Sequence, residues 1–270
     1  MMKLPSFLVI GAQKSGTTWL HEFFLQHPEV FVSPWRKELM FFGNKRRFEV
    51  LGVCGYSEYF VEAQEYMVLG EVTPGYLWVS RLYGKWGGPP AFANETPQRT
   101  KDILGGNVKL VVLLRNPIDR ACSAFLHHRR HGKFSNVTDR MRDYWRGHGI
   151  VHLGFYGAHL SEWAKVFPKE NFFICTYEEF FSSSHKLREL QHFLEVELID
   201  GKKTMGVRVH ADKGGYRRGE HGVVDTNDLS IATAEDMELL RDTYVPDVQA
   251  LADQWDIDVS AWRSDFPGVA

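Results

Sequence analysis

Between Gly11 and Thr18 the chain reads Gly-Ala-Gln-Lys-Ser-Gly-Thr-Thr, one lysine and three hydroxyls among small residues. An apolar run, Phe7-Leu-Val-Ile10, leads into it, and a helical pattern follows directly from Thr17. Small residues at a strand-to-helix turn let backbone N–H groups converge on an anion, and the helix N-terminus adds a favourable partial charge. Lys14, Ser15, Thr17 and Thr18 bring side-chain donors to the same place. The chemistry this suits is the binding of anionic oxygens. A tight turn with serine and threonine as caps would use the same residues, so a second element has to decide between the two.

The loop is close to a nucleotide P-loop and departs from it at two points. GxxxxGK[ST] would place a lysine directly after Gly16, where this chain has Thr17; the lysine is Lys14, inside the loop. The strand that would end in a magnesium-holding aspartate runs Lys109-Leu-Val-Val-Leu-Leu-Arg115 and ends in arginine. Both departures disfavour a kinase and suggest that protein cations neutralise the anion. The second element is Leu113-Leu-Arg-Asn-Pro-Ile-Asp-Arg-Ala-Cys-Ser123. Arg115 follows a buried strand, the place where open α/β sheets bind ligands, and Pro117 and Asp119 suit a first helical turn. Ser123 falls about two turns along, where it could share an anion with Arg115. The alternative is a structural Arg115 paired with Asp119 and a serine on the helix surface.

With both motifs in view, the chain resembles the sulfotransferases that use 3′-phosphoadenosine 5′-phosphosulfate (PAPS). Gly11-Ala-Gln-Lys-Ser-Gly-Thr-Thr-Trp-Leu20 looks like their 5′-phosphosulfate loop, and Leu113 to Phe125 like their 3′-phosphate motif. Lys37-Glu38-Leu-Met-Phe-Phe42 and Gly70-Glu-Val-Thr-Pro-Gly-Tyr76 are similar to elements of the heparan-sulfate-type branch, as are Gly154 to Trp163 and Tyr177-Glu-Glu-Phe180. Lys213-Gly-Gly-Tyr216 resembles the loop that closes over the donor.

The resemblance implies a three-layer, P-loop-like α/β fold with a central, mainly parallel sheet flanked by helices. It implies sulfuryl transfer from PAPS to an acceptor hydroxyl on a carbohydrate, releasing 3′-phosphoadenosine 5′-phosphate, with no metal required; an amine or a small non-sugar alcohol is the alternative acceptor. Donor-binding residues would be Gln13, Lys14, Ser15, Gly16, Thr17, Thr18, Arg115, Ser123, Lys213 and Gly214, with Lys14 stabilising the leaving phosphate. Glu38 takes the place of the catalytic base. Glu71 is a second carboxylate candidate, for acceptor binding or for orienting Glu38, and His210 and His221 are rivals for the base. The cysteine pair, stem and membrane anchor of the Golgi relatives are not matched, which implies a minimal soluble member.

The elements that must position these residues alternate in type. Phe7 to Gly11, Lys109 to Leu114 and Phe172 to Thr176 read as buried strands, and Val30 to Ser33 as β-like. Helical periodicity marks Thr17 to Gln26, Ile118 to His131, Tyr156 to Phe167, Lys186 to Leu194 and Ala234 to Trp255, with Pro246 expected to break the last. Continuous apolar strands between helices argue for a parallel sheet covered on both faces. Residues 84 to 98 read as a surface loop and residues 200 to 230 as a long, Gly-rich, locally basic loop or lid, with Arg217 and Arg218 as further candidate cations. Residues 43 to 65, 78 to 100 and 132 to 152 carry the least pattern. Without a domain boundary, residues 1–270 are taken as a single domain.

Composition narrows the remaining classes. The 270 residues are 44% hydrophobic with 32 basic and 34 acidic side chains, which excludes disordered and disulfide-stapled chains and argues against nucleic-acid or membrane-surface partners. Three cysteines, Cys54, Cys122 and Cys175, offer no disulfide framework, and Cys175 reads as core. The N-terminal apolar run is too short for a secretory segment and no stretch suits a membrane span, so a cytoplasmic location is expected. Oligomeric state is not legible.

Overall fold

The computed structural model describes residues 2–134, 136, 140–201, 216–219, 222–225 and 230–269. The elements begin with β1 (Phe7–Gly11), α1 (Thr17–Leu25), β2 (Val30–Val32), α2 (Lys45–Ser57), β3 (Val68–Val72), α3 (Thr96–Leu104), β4 (Lys109–Leu114) and α4 (Pro117–Arg130). They continue with α5 (Tyr156–Ala164), β5 (Phe172–Thr176), α6 (Tyr177–Ser182), α7 (His185–Leu194), β6 (Tyr216–Gly219), β7 (Gly222–Asp225), β8 (Ser230–Thr233) and α8 (Ala234–Trp255). Two compact units result. The first takes Met1–Ser80, Pro89–Leu114 and His159–Val209, the second Arg81–Gly88, Arg115–Ala158 and His210–Ala270.

The first unit is built on a five-stranded sheet in the order β2-β3-β1-β4-β5, with every neighbouring pair parallel. β1 sits at its centre and is buried along its whole length, which is why it reads as an unbroken apolar run. Alternation sorts the side chains by face: Phe7, Val9, Val111, Leu113, Phe173 and Cys175 join Trp19, Phe23, Phe24 and Leu190 in one core, so α1, α6 and α7 cover that side. Leu8, Ile10, Leu110, Val112 and Leu114, pointing the other way, are equally buried. The central parallel sheet with both faces covered is the expected α/β arrangement. Gly70 is needed where it stands, because a Cβ there would run into the ring of Phe7 on the neighbouring strand.

The second unit holds a three-stranded antiparallel sheet, β6-β7-β8, with α4 and α8. Part of the segment expected as a loop is therefore sheet: β6 and β7 pair antiparallel, with Tyr216 opposite Asp225 and Gly219 opposite Gly222. Pro246 does not end α8, which continues to Trp255. The buried face formed by Met237, Leu240, Tyr244, Val248 and Leu251 carries the helix past the missing N–H. A reciprocal cap starts it, with Thr233 Oγ1 accepting from Asp236 N and Asp236 Oδ2 accepting from Thr233 N. The stretch 84–98 contains two short 3₁₀ turns, Gly84–Trp86 and Ala91–Glu95, and Trp86 is buried. Cys175 is core as read, with Cys122 also buried and Cys54 exposed. Among the described residues no helix is long and apolar enough to cross a membrane.

Candidate active site

In the first unit, the loop that leaves β1 opens α1 without a side-chain cap. The N-cap is Gly16 at φ 88, in the left-handed region, and it makes no side-chain cap bond to the first helical N–H groups. Gly16 also leaves no room for a side chain, since a Cβ would lie 2.7 Å from Phe181 Cε2 and 3.3 Å from Tyr177 Cδ2. Lys14 adopts φ 70, a left-handed conformation unusual for a residue with a Cβ. Ser15 is fully buried, and its Oγ has no hydrogen-bond partner among the described residues. Thr17 is buried, while Gln13, Lys14, Gly16 and Thr18 are half-buried. An uncapped helix start, a buried orphan hydroxyl and a lysine are chemically suited to an anionic group.

Glu38 is brought to the same end of that sheet. Its backbone N–H donates to Val72 O at 3.0 Å, which stitches the segment to the end of β3, and Thr73 N donates to Val9 O at 3.0 Å, which ties that end of β3 to β1. Lys37 Nζ donates to Glu38 Oε1 at 3.1 Å, and the Glu38 side chain is 40% exposed. Glu71 is of another kind. It is 2% exposed and accepts from Tyr56 Oη at 2.5 Å, Thr73 Oγ1 at 2.6 Å and Tyr76 Oη at 2.7 Å. Burial raises its pKa, and the three hydroxyls oppose that rise. The same burial raises both tyrosines well above their ordinary range. Tyr76 and Thr73 stood in a recognisable motif, but nothing in the sequence pointed to Tyr56, fifteen residues before Glu71 on α2.

In the second unit, Arg115 lies just before α4 and Ser123 within it, and both are half-buried. Asn116 is the N-cap, accepting from Ile118 N at 3.0 Å and Asp119 N at 3.4 Å through Oδ1. Tyr156 Oη donates to Arg115 O at 2.8 Å, which fixes the backbone there. Asp119 is paired with Arg218, whose Nη2 lies 2.9 Å from Oδ1. Arg218 Nη1 also reaches Asp265 Oδ2 at 2.6 Å, and Asn116 Nδ2 donates to that same oxygen at 2.7 Å. Arg241 Nε completes the group at 3.2 Å from Asp265 Oδ1. Burial alone would raise the pKa of Asp265, but Arg218, Asn116 and Arg241 together lower it. Arg218, expected among the lid cations, is therefore engaged in ion pairs, and Asp265 is a residue that sequence reasoning missed. Lys213, Gly214, His210 and His221 lie outside the described residues.

Comparison with known proteins matches residues 4–206 to the family model described as the sulfotransferase domain. The chain is 27% identical over 238 residues to bifunctional heparan sulfate N-deacetylase/N-sulfotransferase 2 of Bos taurus, covering 82% of this chain and 25% of that protein. It is 27% identical over 208 residues to heparan sulfate glucosamine 3-O-sulfotransferase 3A1 of Mus musculus, covering 73% of this chain and 47% of that one. The chain thus spans about a quarter of the length of the first relative and about half of the second. A solved sulfotransferase from Alicyclobacillus acidocaldarius has the same fold, with a TM-score of 0.70 at 22% identity over 97% of this chain and 99% of that one.

Proposed function

Since the chain belongs to the sulfotransferase family, whose donor is PAPS, we propose that it transfers a sulfuryl group from PAPS to a hydroxyl of a carbohydrate acceptor. The observation that carries this reading is the loop between β1 and α1, where an uncapped helix start, the buried Ser15 hydroxyl and Lys14 offer donors to anionic oxygens. PAPS, when bound, supplies the sulfuryl group: its sulfur bonds to the acceptor oxygen, and the bond to the 5′-phosphate oxygen breaks.

Each group of residues then has a task. Lys14 and the backbone N–H groups from Ser15 to Thr18 hold the 5′-phosphate and stabilise the charge that grows on it as it leaves. Gln13, Gly16 and the hydroxyls of Thr17 and Thr18 shape the same cradle. Arg115 and Ser123 bind the 3′-phosphate and so orient the donor, with Lys213 and Gly214 proposed to close over it. Glu38 takes the acceptor proton, a task worth ~10²–10⁴-fold in rate. The reading needs both motifs, so residues 1–270 act as one catalytic domain. It also proposes a cytoplasmic location and a glycan or small-molecule acceptor.

Transfer to an amine is the second reading, supported by the N-sulfotransferases among the relatives. Radiolabelled PAPS offered separately to hydroxyl-only glycans, de-N-acetylated glycans and small alcohols separates the readings. Label on the hydroxyl-only glycans is the expected result, and label confined to the amine-bearing pool transfers the proposal to N-sulfation. Binding of 3′-phosphoadenosine 5′-phosphate without label in any pool overturns catalysis and leaves a nucleotide-binding module.

A further inference from the structure

The hydrogen bonds around Glu71 do more than satisfy a buried carboxylate. Two of its three hydroxyl donors are relays: Thr73 Oγ1 accepts from Met40 N at 3.3 Å, and Tyr76 Oη accepts from Phe42 N at 3.2 Å. Each hydroxyl has one proton to give, and each gives it to Glu71 Oε1, which turns its lone pairs toward the backbone N–H. With Glu38 N on Val72 O, three alternate N–H groups, those of residues 38, 40 and 42, hang from the end of β3 and the turn after it.

The segment held in this way needs holding. Glu38 has φ 61 and Met40 φ 55, both in the left-handed region that a Cβ disfavours. Leu39, Phe41 and Phe42 between and beyond them are buried, so the backbone leaves Glu38 half-exposed while its neighbours are sealed into the core. We propose that Glu71 is a positioning residue for Glu38: acting only as an acceptor, it orients the Thr73 and Tyr76 hydroxyls that clamp the 38–42 backbone. The proposal rests on the reading of Glu38 as the base.

Three hydroxyls donate to the Glu71 carboxylate, and those of Thr73 and Tyr76 thereby keep their lone pairs for the backbone N–H groups. A glutamine amide of nearly the same shape brings N–H donors that compete for the lone pairs Met40 and Phe42 use. Tyr56 serves as the control. Its hydroxyl touches Glu71, and its ring stacks on Phe41 at 4.2 Å, a contact that Tyr56→Phe keeps.

The experiment compares Glu71→Gln, Tyr56→Phe and Glu38→Gln in the full chain. It reads amide hydrogen exchange by mass spectrometry, and kcat and KM with PAPS and N-desulfated heparan sulfate as the acceptor probe. Expected for Glu71→Gln are exchange over residues 38–42 raised by ~10-fold or more, kcat lowered by about 10-fold and a PAPS KM within about 2-fold of wild type. Tyr56→Phe removes a donor from Oε2 but leaves both relays on Oε1, so it should raise the exchange of 38–42 and lower kcat by less than Glu71→Gln does, and a larger effect from Tyr56→Phe overturns the proposal. Unchanged exchange in Glu71→Gln, or raised exchange with wild-type kcat, overturns the proposal. Wild-type turnover by Glu38→Gln instead removes the base assignment, a different failure, because exchange still reports whether Glu71 grips the segment.

Discussion

Asp247, near the middle of α8, caps α5: its two carboxylate oxygens accept from Gly157 N and Ala158 N, each at 2.9 Å. The backbone passes close at this point, since a Cβ on Gly157 would lie 3.0 Å from Asp247 O. A carboxylate at a helix start satisfies orphan N–H groups and complements the dipole, but this one is almost wholly buried.

Stability should therefore depend on pH through Asp247. Burial pushes its carboxyl up to about 6, against the pull of the two backbone N–H donors, from an ordinary value of 3.8. Between those values the native state keeps a proton that the unfolded chain has released, so this contribution is fully present below 3.8 and is lost as pH rises through about 6. The change is on the order of 3 kcal/mol. Urea midpoints from pH 4 to pH 7 should show it, and Asp247→Asn should flatten that slope; an unaltered slope removes Asp247 as its source.

Lys14→Ala should leave the fold intact and cut turnover by ~10²–10³-fold, as expected for losing a group that stabilises charge on the leaving phosphate. Single-turnover rates at saturating PAPS test this, alongside a melting curve. Turnover within a few-fold of wild type takes Lys14 out of the mechanism.

Arg115→Ala should act on affinity. Losing a charge-assisted contact to the 3′-phosphate costs about 1.5–3 kcal/mol, roughly 10–100-fold in the apparent PAPS KM, with kcat much less affected. Calorimetric titration with 3′-phosphoadenosine 5′-phosphate gives the same comparison without an acceptor. Equal affinities would send the 3′-phosphate assignment elsewhere.

Glu38→Gln should abolish transfer while PAPS binds as before, because the amide keeps the shape and cannot take a proton. Initial rates and a binding isotherm on the same preparation check both halves. Retained activity would pass the role to a histidine or to Glu71.

Asp265→Ala should destabilise the second unit by about 2 kcal/mol, a figure discounted for the partial exposure of Arg218 and Arg241. Because its partners hold the Asp265 pKa below the ordinary value, its contribution is present at neutral pH and disappears as the solution is acidified through the folded pKa. Denaturation of wild type and variant at neutral and acid pH should converge at the acid end.

What the sequence disclosed follows from what each element buries. β1, β4 and β5 are legible because nearly every position is covered, so each is an apolar run. The loops at 11–18 and 113–123 are legible because their donors are consecutive. α2 is not, since only Tyr56 among its thirteen residues is buried and the helix kinks at Gly52, so no periodic face appears. β3 hides for the opposite reason, a buried Glu71 interrupting its apolar pattern. The joining of the local Glu71 motif to Tyr56, Met40 and Phe42, and the Asp265 cluster, bring together residues that only the folded chain unites.

Asn116 and Asp265 stand 149 residues apart, and this separation sets an order on biosynthesis. The cap residue of α4 meets its acidic partner only after the intervening residues and Asp265 itself have left the ribosome. The turn that carries Arg115 thus acquires this tether only once Asp265 has been made, and a nascent chain stalled short of Asp265 would display that turn half-fastened.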